Sequence, residues 1–248
     1  MNERIDQLVA QWARAGAGFG AGPGGAELDL ERMVLETARL TSRMARLMVM
    51  SATWLHRYGS LMARHRLARL VRDELETGDR PTLGLLLETA QRGNHPAPFA
   101  TIIEDLRAAA VAGPLFDVER GALAARARRR ASAESMRWGV WCEEIEFKED
   151  ALRSPEWVMR QNASFLARAD FRGDLRASVM AALAHDAGAG ASEMQLARCA
   201  GGSRAQVRSA LDQLELTGRV RRDRGEGRAR TGVRLGGWRE AGARDAAA

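Results

Sequence analysis

Near its C-terminus the chain carries Arg221, Arg222, Arg224, Arg228 and Arg230 around the sequence Gly225-Glu226-Gly227. From Arg219 to Arg234 there are seven arginines against Asp223 and Glu226, a net charge of +5. Guanidinium groups keep their charge and meet phosphate oxygens as a planar fork. The chemistry is anion recognition. A hairpin tip with this charge would sit over a phosphate backbone or in a minor groove. Upstream, Ser203, Arg204, Gln206, Arg208 and Ser209 form a second constellation. Ser203 and the N–H groups at a helix start can meet a phosphate. Arg204 and Arg208 can address guanine O6 and N7, and Gln206 can address adenine. Ser209 shares their face.

Other chemistries find less support. Cys142 and Cys199 have neither metal-ligand spacing nor a disulfide-framework pattern. His56, His65, His95 and His185 lack metal spacing as well, so the metal set is none. The stretch Gly18–Gly25 lacks the Gly-Lys-Ser/Thr of a P-loop and reads as linker. No Ser/His/Asp or Cys/His set has a recognisable context. Glu143, Glu144 and Glu146 read as a solvated acidic face rather than an acid/base group. The expectation is therefore a non-enzyme without a cofactor.

Positioning those residues requires helices. The chain has 248 residues, 46% hydrophobic and 28% charged, with net charge +6, and Lys148 is its only lysine. That composition folds. The first residues read as a short helix, and Ala15–Ala26 as a flexible linker. A long helical pattern covers Leu28–Leu75, with Met33, Leu40, Met44, Leu47, Met48 and Leu55 on one stripe and a break at Gly59. Its arginines are placed on the outer face. The stripe serves either as a dimer interface or as the core of a bundle. Further helices are expected around 81–90, 99–112 and 120–138, and from Ser154 with Pro155 at the first helical position. The basic segment Arg126–Arg130 reads as a solvated helix face rather than a second DNA site, and it can pair with the acidic tract Glu143–Asp150. Trp138, Trp141 and Trp157 are expected at the junction between two halves. Strand signals are scarce before Arg219.

The pattern sharpens after Gly173. Leu175, Val179, Met180 and Leu183 share one helical face. Ser192 with Gln195, and Ser203 with Gln206, each have capping-box spacing. Gly201 and Gly202 make a turn. Val207, Ala210, Leu211 and Leu214 face inward on the next helix, Gly218 ends it and Val220 opens a strand. The wing strands are expected at Arg219–Asp223 and Arg228–Leu235, with a turn at Arg224–Gly227.

The series Leu196-Ala197, Gly201, Ser203, Val207, Leu211, Leu214, Gly218 and Val220 resembles a bacterial winged helix-turn-helix transcription regulator over about Phe171–Trp238. The resemblance implies a mainly α protein: an N-terminal helical domain plus a C-terminal winged helix-turn-helix with a two-stranded β wing. The domains are then an N-terminal segment and Gly-rich linker (1–26), a helical dimerisation or interaction domain (27–170), a winged helix DNA-binding domain (171–238) and a tail (239–248). The implied function is sequence-specific double-stranded DNA binding in transcription regulation, as a cytoplasmic homodimeric repressor, with any small-molecule effector left open. The alternative is a protein–protein adaptor or antitoxin-like partner that docks through the same module. No apolar run is long enough to span a bilayer, and no apolar leader opens the chain. A fragment starting at Ser154 is expected to fold alone.

Overall fold

The computed structural model describes residues 2–20, 25, 27–94, 96–107, 112–117, 121–223 and 232–236. The chain is mainly helical and forms two compact units. The first comprises Met1–Gly59 with Glu74–Gln161, and the second Ser60–Asp73 with Asn162–Ala248. The expected boundary at 170/171 thus lies at 161/162, and a segment from far upstream joins the C-terminal unit.

The first unit begins with α1 (Asn2–Ala15), α2 (Leu30–Leu40) and α3 (Ala45–Tyr58); α4 (Arg64–Glu74) lies almost wholly in the second unit. The single long helical pattern is therefore three helices. A 3₁₀ turn at Thr41–Arg43 and extended backbone at Met44 separate the first two, and a 3₁₀ turn at Gly59–Leu61 precedes the third. Asp29 caps α2 by accepting from the Arg32 N–H. Met33, Leu40, Leu47, Met48 and Leu55 are buried within one chain. These five residues of the apolar stripe are thus core, while Met44 is half-buried. Trp12 and Trp54 meet edge to face at 5.5 Å, and the Trp12 indole donates to Thr37 Oγ1 at 2.9 Å.

The first part of the Gly-rich segment is not a linker. Ala15, Ala17 and Phe19 are buried, and Gly16 C=O accepts from the Arg153 N–H at 2.8 Å. A Cβ on Gly18 would lie 2.4 Å from the Ala151 carbonyl oxygen, so close packing explains the glycine better than flexibility does. Of the rest of that segment, residues 21–24 and 26 lie outside the described residues.

The unit continues with α5 (Arg80–Ala90), α6 (Ala100–Leu106), α7 (Ala122–Arg130), α8 (Ala133–Arg137) and α9 (Pro155–Gln161). The expected basic helix over 120–138 is two helices, because Ser132 turns extended and caps α8 through the Ser135 N–H. A two-residue parallel bridge joins β1 (Gly113–Pro114) to β2 (Val140–Trp141), in a region where strand signals are scarce. The three tryptophans each make contacts within this unit. The Trp138 ring occupies the space a Cβ on Gly84 would need, and its indole N–H donates to Glu88. Trp157 lies against Gly16, and the Arg128 guanidinium lies over Trp141. Arg130 pairs with Glu143 at 2.8 Å, the basic-to-acidic pairing expected for these segments.

The second unit contains α4, α10 (Ala163–Phe171), α11 (Leu175–His185), α12 (Glu193–Ala200), α13 (Arg204–Leu216), and the antiparallel pair β3 (Val220–Asp223) and β4 (Gly232–Leu235). Asp174 caps α11, accepting from the Arg176 N–H at 2.8 Å. Val179, Leu196, Ala200, Val207, Leu211 and Leu214 form the core with Val220 and Val233 from the strands and Ala63 from just before α4.

Arginines fasten α4 to this unit. Arg66 is fully buried, not on an outer face. Its Nε and one terminal nitrogen donate to the two oxygens of Asp186 at 3.0 and 2.8 Å, and Arg69 donates to the same carboxylate at 2.9 Å. Arg69 also donates to the Cys199 carbonyl at the end of α12, and Arg64 to the Gly173 and Arg172 carbonyls after α10. Helix C-termini leave carbonyls without intrahelical donors, and guanidinium forks satisfy them.

Candidate nucleic-acid interface

The three residues Gly201-Gly202-Ser203 join α12 to α13. Gly201 has φ +78°, and its N–H donates to the Ala197 carbonyl. A Cβ there would stand 2.2 Å from the His65 carbonyl oxygen, so both the left-handed backbone and the approach of α4 require glycine. Ser203 then starts α13 with a complete capping box. Its Oγ accepts from the Gln206 N–H at 3.3 Å, and the Gln206 side-chain oxygen accepts from the Ser203 N–H at 3.0 Å.

With Val207, Ala210, Leu211 and Leu214 turned inward, α13 exposes Ser203, Arg204, Gln206, Arg208 and Ser209 together with Asp212 and Gln213. Five of the proposed contacts are therefore exposed on α13 or at its N-cap. Their availability differs. Arg204 has no hydrogen-bond or ion-pair partner among the described residues. Arg208 is held by Glu193 of α12, with Nε and a terminal nitrogen at 3.2 and 3.0 Å from one carboxylate oxygen. Gln206 spends its carbonyl oxygen on the cap, which leaves its NH₂ group to face outward chemistry.

The strands divide the remaining candidates. Register pairs Arg221 with Arg234 and Arg222 with Val233. Successive side chains point to opposite faces of a strand. Arg221 is exposed and has no ion-pair or hydrogen-bond partner among the described residues. Arg222 turns the other way, and its side chain is only 14% exposed. It is gripped by three carboxylates: Glu215 at 3.0 Å, Glu193 at 3.4 Å and Asp212. The hydrogen bond to Asp212, with the neighbouring Glu215 charge, raises its already high pKa further. Arg222 is thus a tie between β3, α12 and α13 rather than an open phosphate contact. Arg234 pairs with Asp223 at 2.6 Å, and that hydrogen bond holds the exposed Asp223 carboxyl below its ordinary range. Arg224, Arg228 and Arg230, the proposed tip contacts, lie outside the described residues.

Two parts of this region carried no signal in the sequence reading. Glu193 is half of a shared anchor for Arg208 and Arg222, although Ser192 before it was legible as a cap, and Ser192 Oγ accepts from the Gln195 N–H at 3.1 Å. The Arg66–Asp186–Arg69 cluster joins residues 120 positions apart. Among the described residues no group of His, Cys, Asp and Glu is placed to hold a metal ion, and no helix is long and apolar enough to cross a membrane. No protein-family model, curated protein sequence or solved structure matches the chain.

Proposed function

We propose that the second unit is a winged helix-turn-helix that binds double-stranded DNA in a sequence-selective way, and that the protein is a transcription regulator. The observation that supports this most is the outward face of α13. Ser203, Arg204, Arg208 and Ser209 are exposed there, one three-residue turn after α12. A helix presented this way enters a major groove with its N-terminal residues at the base edges. Arg221 on the flanking strand, with the arginines of the tip, supplies the phosphate contacts. Arg222 holds helix and strand in one geometry. One such unit reads a half-site, so a palindromic operator would take two copies, as a homodimeric repressor does.

A second reading, protein docking through the same unit, draws on two exposed apolar side chains. Leu216 at the end of α13 is 88% exposed and Met194 on α12 is 53% exposed.

Anisotropy titrations of a labelled duplex across a salt series separate the readings. Contact with Z phosphates releases counterions and gives a log–log slope of about −0.9Z. Arg221→Ala should flatten that slope by about one unit. Arg204→Ala should cost about 1–3 kcal/mol on a site selected from a random pool and less on unrelated duplex. Binding that is absent at low salt, or unaffected by both changes, removes the DNA reading and leaves the docking one. Sedimentation of the complex gives the number of copies per site.

A further inference from the structure

The first unit contains a cavity of about 430 Å³ that the DNA reading does not use. Its floor is apolar: Met48 of α3, Ala127 of α7, and Cys142 and Ile145 from the segment after β2, all buried. The volume lies within the range of small-ligand clefts, roughly 300–1,000 Å³, which combine an apolar lining with a few polar groups that fix orientation. Methionine adapts its shape to an occupant at little cost.

The mouth selects a charge. Glu143, Glu144 and Arg126 stand there. The two glutamates each have an arginine partner, Glu143 with Arg130 at 2.8 Å and Glu144 with Arg92 at 3.3 Å, an arginine that also holds Glu134 at 2.5 Å. Arg126 has no ion-pair or hydrogen-bond partner among the described residues. Leu123, one helical turn before it, is 54% exposed at the same opening. Of the three charged side chains that line the cavity, Arg126 is the one without a pairing among the described residues, a guanidinium beside apolar surface. From this geometry we infer that the cavity binds an amphipathic monocarboxylate, with the apolar chain over Met48 and Ile145 and the carboxylate on Arg126.

Isothermal titration calorimetry of the full chain with decanoate, below its micellar concentration, tests the assignment. Decanol and decyltrimethylammonium serve as uncharged and cationic probes of the same chain length. Decanoate should bind saturably at one site. Decanol should bind about tenfold more weakly, the size of one exposed charge-assisted contact, and the cation more weakly still. Arg126→Glu should bring decanoate to the level of decanol or below and leave decanol unchanged. Ala45→Trp, at an exposed position lining the opening, should block both while leaving the thermal transition in place. The inference fails if decanoate shows no saturable binding, if the cation binds as well as decanoate, or if either substitution leaves decanoate affinity unchanged. DNA binding by the second unit is measured separately and does not bear on these outcomes.

Discussion

Replacing Asp186 with alanine should unfold the second unit at a markedly lower temperature. The carboxylate is 7% exposed and receives Arg66, whose side chain is 0% exposed, and Arg69, at 13%. The substitution takes this counter-charge from a guanidinium that water cannot reach. Breaking a buried pair from one side costs about 3–5 kcal/mol, since the remaining ion keeps its desolvation penalty. For a unit of about 100 residues one kcal/mol moves the melting temperature by about 4–8 °C, so a fall of roughly 12–40 °C follows. Circular dichroism of wild type, Asp186→Ala, Arg66→Met and the double variant completes the cycle. The double variant should be more stable than Asp186→Ala alone, because methionine needs no counter-charge at that position. A loss below about 1 kcal/mol for Asp186→Ala, or strictly additive losses, would refute the view that this ion cluster fastens α4.

Gly201→Ala should also destabilise the unit, by more than the roughly 1–2 kcal/mol of left-handed backbone strain, because its Cβ would collide with the His65 carbonyl, which is backbone and cannot swing aside; urea denaturation measures it. A Ser154–Ala248 fragment, expected from the sequence to fold alone, should instead melt below the intact unit, and a synthetic peptide of residues 60–74 added in trans should raise its transition, since Ala63 belongs to that core and Arg64, Arg66 and Arg69 satisfy groups at helix ends. Burial and the nearby Asp186 carboxylate push the Cys199 thiol up, so its alkylation by iodoacetamide should have a pH midpoint above the usual cysteine value of about 8.5, and Asp186→Asn should bring it down. A midpoint at or below the usual value would contradict that placement.

The residues of α13 were legible because their signals are local. Ser203 and Gln206 sit three apart, and the capping box they form spans a single turn. Val207, Ala210, Leu211 and Leu214 recur at helical spacing, and they are the buried ones. Gly218 has φ +68° where the helix gives way to β3. Composition misled at Ala15–Phe19, where small residues permit close approach as readily as they permit flexibility.

The sequence by itself determined the local elements of the C-terminal region: where α12 and α13 stop and start, which side of α13 faces inward, and that an antiparallel strand pair follows. Caps, turn glycines and apolar periodicity act within a few residues, so the sequence displays them directly. Tertiary structure alone decided that α4 joins this unit, and which arginines remain open to a ligand. Arg66 reads as a surface residue until Asp186, 120 positions away, is brought beside it. Arg221 and Arg222 are identical neighbours in the sequence, yet strand alternation sends one to solvent and the other among Glu193, Asp212 and Glu215. A charge finds water or a counter-ion according to what the fold places next to it, and that partner is set by long-range packing rather than by the residues on either side.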